Sequence, residues 1–477
     1  MIRQMYRLIK RQPFLCRMVP PAAVFCFLAW CAVSVRADFS WDDADPEVLN
    51  QAWRLARGQS IYRGIEAPPY TFAAYTPVYY ALAALAMKFS GLSFIPARLI
   101  SLSAALSIGW ALVILSRRWK NNAAGGIWTA FFLFLVPAFL YNMTRSNVQM
   151  AAVAFSLWSL VFFLGARRSE TVILSALLAV LAFYTKQTQI ALPLAMIVYL
   201  ALRNRRWLLP YTATLAVAGA VPFFWLQQVT GGNFFLNTVR LANLSYHPWQ
   251  IPLIFMHHAG PVSIFIFLAL MLSAKKFRHN AWGPLDCYLI SVFAVTGFSL
   301  GRIGAHGQYV LELVVVTLVY LLWADVLPAV KERPVLVSIQ VLLLFLYAPF
   351  FVFIEEGLWD MRANKAAHKV YRILATRPGP ILSQQGSFPL FSRGEIFIQL
   401  FHFTALSRAG LWDQNRLARE IEHRSFAFVI TEFSIDQPDL PENARERFTP
   451  EMIEALRKNY RHMQAIDPYY LYVPRAP

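Results

Sequence analysis

Long apolar runs separated by short polar breaks make up most of the chain. An apolar helix needs about 20 residues to cross roughly 30 Å of hydrocarbon, and many of these runs approach or reach that length. The pattern therefore predicts a bundle of about eleven membrane-spanning helices. The predicted spans are residues 18 to 36, 95 to 116, 123 to 141, 147 to 165, 170 to 184, 187 to 202, 207 to 227, 251 to 273, 283 to 300, 307 to 324 and 335 to 354.

Short clusters of basic residues between these runs predict how the helices are oriented. Lys and Arg stay mostly on the cytoplasmic side of a membrane, and the space between successive clusters accommodates an outward and a returning helix. The first cluster precedes the first span, so the N-terminus is predicted to be cytoplasmic. We interpret the first span as an uncleaved anchor, with a cleaved signal peptide ending at "VSVRA", residues 33 to 37, as the alternative.

The apolar run at residues 76 to 91 is too short to be counted among the membrane spans. As a helix it would be only about 22 Å long, and counting it as a span would place every later basic cluster outside. We therefore predict a short helix that lies at, or dips into, the outer membrane face. The first outer loop, residues 37 to 94, is thus predicted to contain interfacial helices.

Composition supports a multi-pass membrane protein and excludes several protein classes. Of the 477 residues, 57% are hydrophobic and only 15% are charged, which is too apolar for a soluble globular protein. The net charge of +18 would suit nucleic acid, but no basic face or aromatic-basic recognition motif accompanies it, so no nucleic-acid partner is predicted. The four cysteines have no metal-ligand spacing and are predicted to be buried thiols.

The last part of the chain has a different character and predicts a second domain. After a transmembrane module over residues 1 to 354, residues 355 to 477 are more polar and rich in turn signals. "FAFVITEF" and "YYLYVP" are typical of strands, while "LWDQNRLAREIEH" and "EMIEALRKNY" are typical of helices. We predict a small extracytoplasmic α/β domain that covers a site or contacts an acceptor, with a purely structural role as the alternative.

Acidic residues gather directly after the first span, in "FSWDDADPEV". Asp42, Asp43 and Asp45 lie within four residues, so their carboxylates repel one another unless something offsets the repulsion. Clustered carboxylates can hold a raised pKa or a divalent cation. The cluster is therefore a candidate base or metal site, although Asp45 before Pro46 could instead cap a helix.

Five stretches occur in an order that resembles the landmarks of a known superfamily. They are "WDDADPEVLNQAWRLARGQSIYRG", "YTPVYYALAALAMKFSGLSFIPARLISL", "TRSN", "YTKQTQIALP" and "GRIGAHGQYVLE". Over roughly residues 15 to 325 they resemble the GT-C superfamily of membrane glycosyltransferases, in particular bacterial members related to protein mannosyltransferases and the lipid A aminoarabinose transferase. The resemblance implies an all-α polytopic bundle of the GT-C type in the bacterial inner (plasma) membrane.

The same resemblance implies a reaction. Such enzymes transfer a hexosyl or pentosyl unit from a polyprenyl-phosphate carrier to a hydroxyl at the extracytoplasmic face, usually with inversion. The acceptor could be a glycan, a lipid or a protein, and a divalent cation is a candidate cofactor. The family places a catalytic base in the first outer loop, where Asp43 and Asp45 both fit, Asp45 better by its spacing to Ala52. We assign Asp42 as a supporting, substrate-binding acid.

A lipid phosphate leaves in this reaction, so the site also needs positive charge. Arg145, Lys186 and Arg302 are isolated cations in predicted outer turns and are candidate phosphate ligands. The resemblance favours this role for Lys186, with a snorkelling side chain as the alternative. Arg98 is predicted to be an interfacial anchor.

Two further polar residues are assigned to the substrate site. Glu312 lies near the start of the tenth span, so it is expected to face the bundle interior, with Arg302 or His306 as partner. His306 is a candidate contact to substrate. Neither residue has the neighbours that a metal site requires.

The chain departs from the pattern of the family after Arg145. Many members carry a second acid there, whereas this chain has Ser146, Asn147 and Gln149. The departure weakens a two-acid metal site and leaves open that the protein is an inactive or differently tuned member. Two rival functions are an O-antigen ligase or polymerase and a transporter of lipid-linked glycans, because both classes are also polytopic.

Overall fold

The computed structural model describes residues 27 to 37, 39 to 40, 44 to 324 and 357 to 476, and these residues are mostly helical. The helices of the first part are α1 Phe27–Arg36, α2 Ala44–Ala56, α3 Pro77–Ser90, α4 Phe94–Lys120, α5 Ala123–Phe134, α6 Pro137–Met143, α7 Val148–Leu164, α8 Ser169–Thr185, α9 Ala191–Arg203, α10 Leu208–Val229, α11 Gln250–Ala259, α12 Ser263–Arg278, α13 Pro284–Leu300 and α14 Leu311–Trp323. Those of the C-terminal part are α15 Gly357–Leu374, α16 Ser387–Arg393, α17 Leu400–Arg408, α18 Asn415–Glu422, α19 Glu442–Arg447 and α20 Pro450–Asn459. The strands are β1 Ile381–Ser383, β2 Phe428–Thr431, β3 Tyr460–Ile466 and β4 Tyr469–Pro474.

Helices long and apolar enough to cross a membrane are present. By length and composition, 3 helices of the described part qualify: Phe94–Lys120, Arg205–Val229 and Gln250–Arg278. The pair α5 and α6 also qualifies as one span, bent by 82° at its break. Every predicted span between residues 95 and 324 coincides with one of these or with a shorter apolar helix. The span at residues 335 to 354 lies outside the described residues, so the count of eleven stays a prediction.

Helix α14 forms the centre of the helical bundle. Every residue from Leu311 to Leu322 is buried, so the helix has no face left for lipid. It contacts α4, α5, α7, α12 and α13, which surround it. The described helices thus pack in layers around one highly apolar helix.

Close backbone packing joins α4 and α5. The turn between them is capped by Asn122, whose side-chain oxygen accepts from the backbone N–H groups of Ala124 and Gly125. A Cβ atom at Gly126 would lie 2.6 Å from Val113 Cα and 2.8 Å from the carbonyl oxygen of Leu112. Only glycine fits there, as is common where membrane helices approach closely.

The first outer loop contains the two helices that the sequence predicted. Helix α3 begins with Pro77 at its first turn and ends at Gly91, whose φ of 74° is left-handed. It packs against α2, α4 and α8. The helix predicted over residues 76 to 91 is therefore present, and its position at the membrane face stays a prediction.

The C-terminal part contains a small sheet with flanking helices, as predicted. The sheet has the order β1-β2-β4-β3, with β1 parallel to β2 and the remaining pairs antiparallel. The two predicted strands correspond to β2 and β4. Helix α20 begins as predicted, because the Thr449 hydroxyl accepts from the Met452 N–H and Pro450 occupies the first turn.

Backbone hydrogen bonds attach this domain to the first outer loop. Tyr70 donates its N–H to the carbonyl oxygen of Phe397 at 2.6 Å and accepts from the N–H of Gln399 at 3.1 Å. The side-chain oxygen of Asn50 in α2 accepts from the N–H of Ile396 at 3.1 Å. The domain is therefore held over the outer-loop helices, which places its loops beside the membrane module.

The tight contact at Gly126 generates a test of the bundle. We expect Gly126→Ala to lower the free energy of unfolding by about 1–3 kcal/mol, because the added methyl group overpacks a backbone contact. Thermal unfolding in detergent measures the change. Gly219→Ala is the matched control, since a Cβ there meets nothing within 4 Å; equal stability losses in both variants would contradict the packing described.

Candidate active site

A cavity of about 560 Å³ lies between the ends of several helices and the C-terminal domain. The start of α2, the turn before α7, the turn between α8 and α9, and the segment before α14 all contribute walls. The rest of the lining comes from the first outer loop, from the segment after α10 and from loops and helices of the C-terminal domain. Segments far apart in the chain therefore meet at one site.

The structure brings most of the predicted site residues together in this cavity. The lining includes Asp45, Arg145, Lys186, Arg302 and His306. Glu312 is not among the residues that line it. Asp42 and Asp43 lie outside the described residues, so their roles stay predictions.

Asp45 is buried in a charged contact. Its Oδ2 accepts from the Arg98 guanidinium at 3.0 Å and its Oδ1 accepts from the Ser146 N–H at 2.6 Å. The side chains of Arg98 and Asp45 are only 0% and 1% exposed. Asp45 lies within the first turn of α2, so the interpretation of Asp45 as an N-terminal cap is wrong.

Arg98 is not the interfacial anchor that the sequence predicted. Besides Asp45, its guanidinium donates to the carbonyl oxygens of Ser34 at 3.1 Å and Ala37 at 2.5 Å. The start of α4 is covered by the end of α1 and the loop after it, so a charge there needs buried partners. Arg98 therefore stabilises the segments that surround the cavity instead of anchoring a helix at the membrane interface.

Competing influences set the pKa of Asp45. Burial by itself would raise the pKa of this carboxyl, but the positive charges of Arg98 and Arg145 and hydrogen bonds from Ser146 and Ser40 outweigh burial. They hold the pKa below its ordinary value. Asp45 is therefore ionised at neutral pH and contributes negative charge to the cavity.

Lys186 lies buried in the cavity wall. It follows α8 directly and is 1% exposed. Its Nζ has no hydrogen-bond partner among the described residues and lies 4.2 Å from the centre of the Tyr309 ring. Burial lowers the pKa of Lys186 to about 7. A snorkelling side chain is excluded, because the ammonium is buried rather than hydrated.

Arg145, Arg302 and Arg447 are further cations of the lining, and His306 adds an imidazole. Arg145 is 4% exposed, and its guanidinium lies 4.9 Å from the centre of the Tyr141 ring. Arg302 and His306 come from the segment between α13 and α14. These groups supply donors and charge suited to an anionic ligand.

Glu312 faces the bundle interior, as predicted, but with a different partner. Its Oε1 accepts from the Tyr288 hydroxyl at 2.7 Å. The expected partners Arg302 and His306 lie instead at the cavity, because α14 turns Glu312 toward α13. The structure therefore separates Glu312 from the rest of the predicted site residues.

Several lining residues were not singled out from the sequence. Glu47 lies two residues after Asp45, and its Oε2 is 3.3 Å from the His402 Nδ1 of the C-terminal domain. Gln385 and Glu432 also come from that domain. Glu47 belongs to the acidic stretch and could have been chosen, whereas the C-terminal residues carry no local signal.

A metal site is not evident in the described residues. No group of three or more His, Cys, Asp or Glu there is placed to hold a metal ion. Asp42 and Asp43 are not among the residues searched. A divalent cation therefore stays an untested prediction without an assigned ligand set.

Comparisons with known proteins support the resemblance seen in the sequence. The model of the dolichyl-phosphate-mannose-protein mannosyltransferase family matches residues 74–226. The crystal structure of ArnT from Cupriavidus metallidurans bound to undecaprenyl phosphate is similar over 97% of this chain and 99% of its own, with 13% identity and a TM-score of 0.63. The apo structure of the same ArnT matches 96% of this chain and 98% of its own, with 13% identity and a TM-score of 0.63. No curated protein sequence matches the chain.

These findings define the class of protein. It is a mostly helical multi-pass membrane protein whose fold is that of ArnT, with a small C-terminal sheet. The predicted resemblance to the protein mannosyltransferase and aminoarabinose transferase group of GT-C glycosyltransferases is confirmed.

The buried ion pair gives the first test of the site. We expect Arg98→Met to lower the free energy of unfolding by about 3–5 kcal/mol, because it leaves the Asp45 carboxylate buried without its main partner. The double variant Arg98→Met/Asp45→Leu should recover part of this loss. Thermal unfolding in detergent measures both, and a double variant no more stable than Arg98→Met would contradict the pairing.

The buried ammonium gives a second test with a defined pH dependence. Lys186 has a pKa of about 7 in the folded protein and 10.5 ordinarily, so burial of its charge destabilises the fold most below pH 7. That penalty falls as pH rises from about 7 to 10. We expect Lys186→Met to raise the unfolding temperature more at pH 6.5 than at pH 9.5. The exposed Lys88→Met is the control, and a gain independent of pH would argue against a buried charge.

Proposed function

We propose that the protein is an integral-membrane glycosyltransferase. It transfers a sugar from a polyprenyl-phosphate donor to a hydroxyl acceptor at the extracytoplasmic face of the bacterial inner membrane, with its N-terminus in the cytoplasm. The observation that carries this proposal is that Lys186, Arg145 and Arg302 line the same cavity as the acid Asp45. Phosphate binding and acid-base chemistry need those residue types side by side.

The cations are assigned to the leaving phosphate. Cleavage of the bond between the sugar and the carrier leaves negative charge on the phosphate, and donors placed at that charge stabilise the transition state. Lys186 is suited to this role because its buried Nζ has no competing hydrogen bond in the described residues. An arriving phosphate would supply the missing partner and raise the pKa of the ammonium. ArnT, which shares the fold, has been crystallised with undecaprenyl phosphate.

An acid of the first outer loop is assigned as the base. Inversion requires the acceptor hydroxyl to attack the sugar from the face opposite the phosphate, with a carboxylate nearby to take its proton. Asp43 and Asp45 are the proposed base residues, and Asp42 supports them. Asp45 is ionised, and its oxygens are already bonded to Arg98 and Ser146, so it could also position the loop that carries Asp43.

The fold supports this activity over that of a ligase or a transporter. The similarity to ArnT extends over nearly the whole of both chains, including the C-terminal part. An O-antigen ligase or a transporter would not explain why the cations and acids collect at a cavity closed by that domain. The acceptor class stays open, and glycans, lipids and proteins all present the required hydroxyl.

Transfer assays on matched variants test the proposal. We expect membranes containing the protein to transfer labelled sugar from an undecaprenyl-phosphate donor. Lys186→Met should lower the rate about 10²–10³-fold through loss of charge stabilisation, and the variant lacking the base should lose about 10²–10⁴-fold. Asp43→Asn, Asp45→Asn and Glu47→Gln are compared to identify that base.

Expression is matched by quantifying the protein in each membrane sample. Asp439→Asn, at an exposed acid of the C-terminal domain, is the control and should leave the rate unchanged. Full transfer by a variant carrying all three loop substitutions would exclude these three acids as the base. If the unmodified protein transferred sugar from none of the polyprenyl-phosphate donors tried, its assignment as a glycosyltransferase of this class would be contradicted.

A further inference from the structure

The C-terminal domain contributes several polar groups to the lining of the cavity. They are the amides of Gln385, Gln399 and Asn443, the carboxylate of Glu432, the imidazole of His402 and the guanidinium of Arg447. Amide and carboxylate groups bind hydroxyl groups through neutral or charge-assisted hydrogen bonds. The turn after α8 contributes Lys186, which is suited to an anion. One cavity thus combines a cation suited to a phosphate with amide groups suited to hydroxyl groups.

Gln385 lines this cavity and carries a buried hydrogen-bond acceptor without a partner in the described residues. The residue follows β1 and is 2% exposed. Its Nε2 donates to Glu432 Oε1 at 2.5 Å, and its N–H donates to the Ser383 hydroxyl at 3.1 Å, so the side chain and backbone are both held. Its Oε1 is buried without a hydrogen-bond partner in the part of the chain described. A buried unpaired acceptor is unfavourable, and a hydrogen bond from a ligand hydroxyl would offset that cost.

A second acceptor of the same kind comes from the membrane module. Gln187 follows Lys186 directly and also lines the cavity. Its Nε2 donates to the carbonyl oxygens of Ala74 and Thr238, each at 2.8 Å, which fixes the amide. Its Oε1 is likewise buried and unpartnered among the described residues. Two fixed acceptors from separate domains are therefore suited to O–H or N–H donors of a ligand that occupies the cavity.

A sugar bonded to a phosphate has this combination of groups. In a polyprenyl-phosphate sugar the ring is joined directly to the phosphate, so a phosphate at Lys186 places the ring beside Gln187 and within the same cavity. We infer that the C-terminal domain provides the subsite for the donor's sugar ring, in which Gln385 accepts a hydrogen bond from a ring hydroxyl and determines which sugar is bound. The inference rests on the proposed function and adds to it the origin of sugar specificity.

The chain contains a closely matched control for Gln385. Gln384 is the same residue type, is 5% exposed and also donates to Glu432, at 3.0 Å to Oε2. Its Oε1 is already paired, because it accepts from the Glu432 N–H at 3.1 Å. Gln384 does not line the cavity. Replacing Gln384 removes two hydrogen bonds with Glu432 and replacing Gln385 removes one, but only Gln385 lines the cavity.

Binding measurements on the purified full chain in detergent test the inference. The probes are undecaprenyl phosphate alone and undecaprenyl phosphate carrying mannose, glucose, galactose or 4-amino-4-deoxyarabinose. We expect the unmodified protein to bind at least one loaded lipid more tightly than undecaprenyl phosphate. Gln385→Leu should reduce that preference about 5- to 100-fold and leave the affinity for undecaprenyl phosphate unchanged. Gln384→Leu should change neither affinity.

Gln385→Asn, which retains a shortened amide, is measured as well and should show the same loss even if the leucine variant fails to fold. A folded Gln385 variant that retains the full preference for the sugar-loaded lipid over undecaprenyl phosphate would overturn the inference. Equal affinity of the unmodified protein for loaded and bare lipid would also overturn it, while the proposed donor class would stand. Failure to bind even undecaprenyl phosphate would instead overturn the proposed function.

Discussion

The packing of the first outer loop depends on one buried ion pair, between Asp45 of α2 and Arg98 of α4. Arg98 also binds carbonyl oxygens at the end of α1, and Asp45 accepts from the Ser146 N–H ahead of α7. Removing one member would strand a charge in a buried site, which costs far more than a lost surface contact. The contacts among these segments are therefore expected to form together, and they fix the floor of the cavity.

The same burial explains the chemistry of the cavity. The positive charge of Arg145 interacts favourably with the carboxylate of Asp45, whereas Lys186 has aromatic rings close to its ammonium. Burial disfavours the charge of Lys186, so an arriving anion would stabilise the site. Under the proposed function, phosphate binding and stability are opposed at Lys186, because the group that suits a phosphate weakens the fold that holds it.

The C-terminal domain completes the cavity through short contacts with the first outer loop. Hydrogen bonds between Tyr70 and the segment around Phe397 hold the domain in place. Gln385 and Glu432 of this domain line the same cavity as Lys186. The domain thereby closes the cavity and adds amides to the charges that the membrane helices supply.

Local features of the sequence determined the elements. The apolar runs predicted the helices, because hydrophobic periodicity acts within a few residues. The sequence also determined that Asp45, Arg145, Lys186 and Arg302 were candidates, since isolated charges are unusual in so apolar a chain. Only the tertiary structure decided their partners. Arg98 contacts Asp45, which lies 53 residues away in the sequence, and Glu312 pairs with Tyr288. Gln385 lines the cavity from another domain. These contacts arise from helix packing and domain docking, which no local sequence pattern encodes.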